Sequence, residues 1–393
     1  MIYKPFKDLR VSWLGMGNMR LPTVAEKGPI DEPAARALID YAYGQGVNYF
    51  DTAFRYHQGE SELVVGRALK AYPRESFYLA TKMPGHQMEY RNGKLEMTGY
   101  LTGFAISSIQ EVFERQLEKC QVEYFDFYLL HNMSESSYSL YTNEELGVVD
   151  YLVKQKKAGR IRHLGFSSHG RAETIEQFLD WADARFPPQT FEVAQIQLNY
   201  LDWTLQNAGK KYEVLGKRGI PVIVMEGIRG GKLAKLGDSS AAILTAARPE
   251  RSVASWAFRF LQGLPQVLTV LSGMTTMEQL RENLELFSRH DPLNDEEQRQ
   301  LRRAVDAMAS LVPCTGCRYC TEGCPQSLDI PRLISMYNEQ GFAKNFNPGG
   351  LTPGEQPAAC LNCGACSGIC PQGIDVPGVL KQFAAALAAI PAA

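Results

Sequence analysis

Eight short apolar runs, each followed by a stretch with helical periodicity, occupy the chain from about residue 10 to residue 275. The runs are rich in β-branched and aromatic residues, as buried strands are, and several of the helical stretches end in glycine. The strand-like runs are VSWLGMG, VNYFDTA, FYLATKM, FDFYLLH, IRHLGFSS, VAQIQLNY, PVIVMEG and VLTVLSG. Eight strands that each lead into a helix predict an α/β fold in which a parallel sheet closes into a (β/α)8 TIM barrel.

The spacing CxxCxxCxxxCP occurs twice near the end of the chain, as CTGCRYCTEGCP at residues 314–325 and CLNCGACSGICP at residues 360–371. Three cysteines at i, i+3 and i+6 wrap one face of an iron–sulfur cube, and the fourth cysteine starts the next segment. Zinc is the main alternative, but zinc sites usually take two close ligands from each of two separated segments. The pattern therefore predicts [4Fe-4S] clusters.

In two-cluster proteins with this spacing, the fourth cysteine of each run binds the cluster of the other run. We therefore predict two [4Fe-4S] clusters, and neither run is expected to form its site alone. The ligands of the first cluster are Cys314, Cys317, Cys320 and Cys370, and those of the second are Cys360, Cys363, Cys366 and Cys324.

The 393 residues exceed the usual size of one domain, and a large domain with a small one is the simplest division. The segment DPLNDEEQRQLRRAVDAMASLVP is polar, then helical, and leads into the cysteine region. We expect a barrel over residues 1–290, a helical linker over 291–312 and a ferredoxin-like domain over 313–393. The helical run IPRLISMYNEQGF between the two cysteine runs favours an α-helical ferredoxin-like domain.

Four polar residues lie at or just after the ends of consecutive predicted strands, where a parallel barrel builds its active site. They are Asp51, Tyr56, Lys82 and His131. Each alone is more often a packing or solvated residue, but together they can converge on one point. Tyr56 would donate a proton to a carbonyl oxygen, and an adjacent Lys82 ammonium would lower the phenol pKa from about 10. Asp51 would hold Lys82, and His131 would orient the carbonyl.

The run FDTAFRYHQGESELVVGRALK, with a lysine after LAT and a histidine after YLL, resembles the aldo-keto reductase family over about residues 8–290. The resemblance implies a (β/α)8 barrel that binds a nicotinamide nucleotide, usually NADPH, and reduces aldehydes or ketones. It also places the family's catalytic tetrad on the four residues named above. The whole chain is similar to the ferredoxin-containing aldo-keto reductases of anaerobic bacteria.

The resemblance also implies a set of contacts to the nicotinamide nucleotide. The corresponding residues are Ser167, Ser168 and Gln195 for the carboxamide, Met225 for the ring, Gly227 for the pyrophosphate, and Glu282 and Asn283 for the adenine. The segment MEGIRGGKL around Gly227 is equally well explained as a glycine-rich turn after a strand.

This sequence departs from the family pattern at several cofactor positions. Ser168 stands where asparagine is common, and Met225 where many members carry an aromatic ring. The basic residues that hold the 2′-phosphate of NADP fall on Gly273 and Gln279, so both NADP(H) and NAD(H) stay open. The basic residues that would compensate are Arg229, Lys232 and Arg281.

Composition excludes some partners. The formal charge of −2 does not indicate the excess of basic residues that binding to nucleic acid or to an anionic membrane would need. The N-terminus lacks a signal-peptide pattern and no window reaches the length of a membrane span, so we expect a cytoplasmic protein.

Three functions remain open from the sequence. The first is a nicotinamide-dependent reductase of a small carbonyl compound, with clusters that are structural or serve a partner such as a ferredoxin or another electron-transfer protein. The second is a barrel that holds a flavin such as FMN, or a substrate reduced by cluster electrons, because clusters pass single electrons whereas a hydride carries two. The third is a redox-sensing or docking subunit without catalysis, which the four convergent polar residues disfavour.

Overall fold

The computed structural model describes residues 1–25, 28–97, 106–308, 311–312, 314, 319–342, 346, 351–370 and 373–389. The predicted cluster ligand Cys317 lies outside them. The chain forms two compact units. The first comprises Met1–Leu198, Ala208–Gly227 and Leu261–Pro292, and the second comprises Asn199–Asn207, Ile228–Phe260 and Leu293–Ala393.

Twelve strands lie within the described residues, and eight of them close into a parallel barrel in the order β3-β4-β5-β8-β9-β10-β11-β12. The strands are β1 Tyr3–Phe6, β2 Leu9–Ser12, β3 Leu14–Gly17, β4 Tyr49–Asp51, β5 Tyr78–Met83, β6 Met88–Arg91, β7 Lys94–Met97, β8 Phe125–Leu130, β9 Ile161–Ser168, β10 Val193–Gln197, β11 Val222–Met225 and β12 Val267–Ser272. Strands β1 and β2 form an antiparallel hairpin, as do β6 and β7. The predicted TIM barrel is therefore confirmed.

The barrel strands are buried on both faces, which is why the sequence shows them as nearly continuous apolar runs. Every residue of β8 and of β12 is buried. All eight predicted runs contain a barrel strand, but the first is divided, because Val11 belongs to β2 and the barrel strand begins at Leu14. The hairpin β1–β2 is distinct from the barrel strand β3, but it packs against the barrel. Phe6, Leu9 and Val11 belong to one core cluster with barrel residues such as Phe127.

Sixteen helices lie within the same residues, four of them single turns. They are α1 Glu32–Gly44, α2 Ser61–Leu69, α3 Ile109–Cys120, α4 Tyr138–Tyr141, α5 Val148–Lys157, α6 Ala172–Arg185, α7 Asp202–Leu205, α8 Ala208–Lys217, α9 Asp238–Ala247, α10 Val253–Gln262, α11 Met277–Leu286, α12 Asp295–Asp306, α13 Tyr319–Glu322, α14 Ile330–Phe342, α15 Ala365–Gly368 and α16 Val376–Ala388. None of the helices in the described part of the chain is long and apolar enough to cross a membrane.

Helix α12 occupies the segment predicted as a helical linker. It begins with a capping box, in which the Asn294 and Glu297 side chains each accept a hydrogen bond from the other residue's backbone N–H. The buried Glu297 carboxylate also accepts two hydrogen bonds from Arg259, at 2.7 and 2.8 Å. Leu301 and Ala304 pack in one core cluster with Trp256, so α12 belongs to the core of the second unit.

The C-terminal region is helical, as predicted, and has a core of its own. Helices α14 and α16 supply Leu333, Leu380 and Phe383, which are almost completely buried. The same core contains two buried cysteines, Cys320 and Cys366. The described cysteines of the two runs therefore lie in or against an apolar core formed between helices.

Gly66 of α2 tests how tightly the barrel helices pack. A Cβ atom at this position would lie 2.6 Å from the backbone carbonyl of Cys120, at the end of α3. Relieving this clash would require a shift of the α3 backbone and not only of a side chain. We expect Gly66→Ala to lower the free energy of unfolding by about 1–3 kcal/mol. Gly44→Ala on α1 is the control, because nothing lies within 4 Å of its added methyl group. Equal urea midpoints for the two variants would contradict the close approach of α2 and α3.

Candidate active site and iron–sulfur region

The structure brings the four predicted catalytic residues together at the carboxyl end of the barrel strands. Asp51 ends β4, Lys82 lies near the end of β5, and His131 directly follows β8. Tyr56 begins the short turn at residues 56–59, which follows β4. They meet because β4, β5 and β8 are consecutive parallel neighbours in the barrel.

Lys82 is the centre of this group and is fully buried. Its ammonium donates hydrogen bonds to Asp51 Oδ1 at 2.6 Å and to the backbone carbonyl of Thr52 at 2.7 Å. The Tyr56 hydroxyl lies 3.5 Å from Lys82 Nζ. An ammonium has three N–H donors, so these three oxygens account for all of them.

Burial has the largest influence on the pKa values of these groups. Burial raises the pKa of Asp51, and the attraction of Lys82 opposes this without cancelling it. Burial lowers the pKa of Lys82, but Asp51 and Tyr56 outweigh it, so the pKa is raised overall. The sequence predicts that Lys82 lowers the pKa of Tyr56, and Lys82 does act in that direction, but burial outweighs it and raises the pKa above its ordinary value. The phenol therefore holds its proton at neutral pH.

His131 faces Tyr56, with the two ring centroids 6.0 Å apart and the rings nearly perpendicular. Burial lowers its pKa well below the ordinary value, and the nearby positive charges act in the same direction. Its Nδ1 atom is buried and has no hydrogen-bond partner among the described residues. The His131 imidazole is therefore neutral and lies edge-on to the Tyr56 ring.

A buried network behind Lys82 was not predicted from the sequence. Gln116 Nε2 donates to the backbone carbonyl of Lys82 at 3.0 Å and to Glu62 Oε1 at 2.7 Å. Thr81 donates to the same Glu62 oxygen, and Lys119 lies 3.4 Å from the other one. Glu62 stands in the quoted run GESELVVG, but only the packing of α2 against α3 shows that its carboxylate is buried and supports β5.

The residues predicted to hold the nicotinamide carboxamide lie on adjacent strands, where Gln195 of β10 pairs with Ser167 of β9. Gln195 Oε1 is buried without a partner among the described residues, and Gln195 Nε2 lies 3.7 Å from Met225 Sδ. A buried amide oxygen without a donor fits a carboxamide N–H. Both serine hydroxyls are already engaged: Ser167 Oγ accepts from the Asn132 N–H at 2.8 Å, and Ser168 Oγ donates to the Met133 carbonyl and accepts from the Gly170 N–H.

The residues predicted for the adenine and the phosphates have partners of their own. Buried Asn283 donates to Ser272 at 3.0 Å, and Glu282 is half-buried beside it on α11. Gly227 follows β11 and is buried. The three basic residues predicted to compensate for the missing phosphate contacts also have partners: Arg229 pairs with Asp202, Lys232 pairs with Glu339, and Arg281 lies over the ring of Tyr41.

Four cysteines from both runs line a single pocket in the C-terminal region. They are Cys324, Cys360, Cys363 and Cys366. Leu328, Ile330 and Leu380 form the apolar part of the pocket wall. Four thiols are the number of ligands that a [4Fe-4S] cluster requires, although no three ligating side chains of the described residues are arranged to hold a single metal ion. The set is the one grouped by the crossed-ligand rule, with three cysteines from the second run and one from the first.

The other predicted ligand set is described only in part, because Cys317 lies outside the described residues. Cys320 is buried, and Cys314 and Cys370 pack against the same core cluster as Cys320. The backbone carbonyl of Cys314 accepts a hydrogen bond from the Gln206 side chain at 3.2 Å. The first run is thus attached to the segment Asn199–Asn207 of the same compact unit.

A closed (β/α)8 barrel with polar residues at its carboxyl rim, followed in one chain by a cysteine-lined helical region, defines an oxidoreductase with an iron–sulfur domain. The chain belongs to the aldo/keto reductase family, whose sequence profile matches residues 13–306. A second profile, the 4Fe-4S dicluster domain, matches residues 313–374.

Individual relatives are distant. The chain is 29% identical over 230 residues to a probable aldo-keto reductase 1 of Glycine max, a match that covers 58% of this chain and 60% of that protein, less than two thirds of its length. It is 24% identical to the NADH-specific methylglyoxal reductase of Escherichia coli, over 77% of this chain and 97% of that one. The crystal structure of a Klebsiella pneumoniae aldo/keto reductase in complex with NADP and acetate has a TM-score of 0.57 at 21% identity, covering 76% of this chain and 92% of that one.

The crossed cysteine arrangement predicts that Cys324 matters for the second run. In anaerobically purified protein, Cys324→Ala should reduce bound iron from about eight to about four per chain and weaken the absorbance near about 400 nm. Cys120→Ala is the matched control, because this buried thiol lies on α3, outside both runs. A Cys324→Ala protein that kept its full iron content would contradict the assignment of Cys324 as a cluster ligand.

Proposed function

We propose that the protein reduces the carbonyl group of a small aldehyde or ketone, with Tyr56 as the proton donor. A bound nicotinamide nucleotide, NADP(H) or NAD(H), would supply the hydride to the carbonyl carbon, and the phenol proton would go to the oxygen. The observation that carries this proposal is the contact between the buried Lys82 ammonium and the Tyr56 hydroxyl, with Asp51 as the counter-ion.

Each residue of the group has a distinct task in this proposal. Tyr56 remains protonated at neutral pH and delivers its proton as charge develops on the carbonyl oxygen. Lys82 then faces the phenolate that remains and stabilises its charge. Asp51 holds Lys82 in the charged form, and His131, which is neutral, binds the carbonyl oxygen through a ring nitrogen.

A nicotinamide cofactor is supported by the residues on β9 and β10. The unsatisfied oxygen of Gln195 would accept from the carboxamide N–H, and Ser167 is the residue paired with Gln195 on the adjacent strand. Two relatives agree with such a cofactor, since one is an NADH-specific reductase and the other was crystallised with NADP. Met225 would lie beside the nicotinamide ring, and Gly227, Glu282 and Asn283 would extend the binding site.

The C-terminal domain would hold two [4Fe-4S] clusters, with the crossed ligand sets described above. A second candidate function follows from this domain, because clusters transfer single electrons and a hydride carries two. In that case a flavin such as FMN would take electrons from a ferredoxin or another electron-transfer protein and reduce the substrate. Thiol ligands persist in a reducing compartment, so we propose a cytoplasmic location.

Replacing Tyr56 tests the proton donor. Tyr56→Phe keeps the ring but removes the acidic hydroxyl, so we expect kcat for carbonyl reduction to fall about 10²–10⁴-fold. Tyr72→Phe is the matched control, because that hydroxyl bonds to Asp40 on the outer helices. Unchanged reduction in the Tyr56→Phe enzyme would remove Tyr56 as the donor.

The pKa directions predict the pH profile of the reduction. Because burial raises the pKa of Tyr56, the donor stays protonated below its ordinary pKa and is lost only as the pH rises through the raised value. His131 has a lowered pKa and so remains neutral at and above its ordinary value. We expect kcat/KM to vary less than about twofold between pH 7 and 9 and to decline only above about pH 10. An inflection near neutral pH would contradict these assignments.

A further inference from the structure

Arg55, the residue directly before Tyr56, places a guanidinium group beside the catalytic residues. Its side chain is partly exposed, and its Nη1 lies 3.4 Å from Nε2 of His86. Neither residue was assigned a role from the sequence. Because Tyr56 is the next residue in the chain, the backbone fixes the position of Arg55 relative to the proposed proton donor.

The hydrogen bonds of His86 define its protonation and orient Arg55. His86 Nδ1 lies 3.1 Å from the backbone carbonyl of His131, which can only accept, so Nδ1 carries the proton. Nε2 is then the acceptor for Arg55. Burial, followed by the charge of Arg55, lowers the pKa of His86 to about 4, so the ring is neutral. The His86 ring also contacts the His131 ring, with centroids 4.4 Å apart.

Two permanently charged groups, Lys82 and Arg55, act on His131. After burial, the groups that lower its pKa are His86, Lys82, Arg55 and His169. Lys82 is compensated by Asp51 at 2.6 Å. Arg55 also acts on Tyr56, where it favours the anionic phenolate. An anion bound beside these groups would gain from the same field.

We propose that the substrate carries an anionic group, a carboxylate or a phosphate, and that Arg55 binds this group while Tyr56 and His131 bind the carbonyl oxygen. A planar guanidinium has five N–H donors and can donate two parallel hydrogen bonds to a carboxylate or a phosphate. His86 is a positioning residue, because it holds Arg55 and packs against His131. The inference rests on the proposed carbonyl reduction, but the anion site can be measured without any reaction.

Binding is tested first, with ligands that cannot be reduced. Benzoate, phenyl phosphate and benzamide are titrated calorimetrically into the anaerobically purified full-length protein. We expect one of the two anions to bind at least about tenfold more tightly than the neutral amide, as a charge-assisted bidentate contact implies. Whether benzoate or phenyl phosphate shows the preference identifies the class of anion.

Four variants are compared with the unmodified protein. Arg55→Gln should abolish the preference for the anion, because it removes the charge. Arg55→Lys should retain part of the preference, because the lysine keeps the positive charge but cannot donate two parallel hydrogen bonds. His86→Phe keeps an aromatic ring against His131 but removes the acceptor for Arg55, and it should weaken the preference. Arg36→Gln on α1 is the matched control for the loss of a positive charge on the surface.

Turnover is tested second, with 4-carboxybenzaldehyde against 4-formylbenzamide, and glyceraldehyde 3-phosphate against glyceraldehyde. The ratio of kcat/KM for the anionic over the neutral aldehyde should exceed about ten and fall towards one in Arg55→Gln. Equal binding of anions and benzamide, or a preference that persists in both Arg55→Gln and His86→Phe, would overturn the anion site. If Arg55-dependent anion binding is found but no aldehyde is reduced, the anion site stands and the proposed function fails.

Discussion

The Lys82 ammonium is buried inside the barrel, and most of the candidate active site is arranged around it. A buried charge without partners is strongly unfavourable, and the cost is offset only when a counter-ion and hydrogen bonds satisfy every donor. Asp51, the Thr52 carbonyl and Tyr56 do so, and each depends on the parallel pairing of β4 with β5. The barrel therefore fixes the distance between a charge and a phenol, which is the relation that proton donation needs.

The iron–sulfur region shares one compact unit with two segments that follow barrel strands in the chain. The second compact unit includes residues 199–207 and 228–260, which follow the strands that carry Gln195 and Met225. Within that unit, Gln206 binds the Cys314 carbonyl and Lys232 pairs with Glu339 of α14. Both contacts lie within the second unit and tie the iron–sulfur region to these two segments.

Periodicity and spacing predicted most of the fold, because these are local properties of the chain. The eight barrel strands were identified since each is buried on both faces and reads as one apolar run. The hairpin β1–β2 was missed because Val11 and Leu14 lie in one such run, and only the contacts with the barrel core divide it. Asp51 and Lys82 could be predicted from their positions at strand ends. Glu62, Arg55 and His86 could not, because their importance depends on which side chains meet across different elements.

The central claim is that a hydride reaches the substrate directly, beside Tyr56, rather than as separate electrons from the clusters. The most direct measurement is anaerobic reduction of an aldehyde with a nicotinamide nucleotide deuterated at the transferred position, followed by mass spectrometry of the alcohol. The account predicts one deuterium on the former carbonyl carbon of every product molecule. Product without deuterium at that carbon would contradict it and would favour a route through a flavin or the clusters.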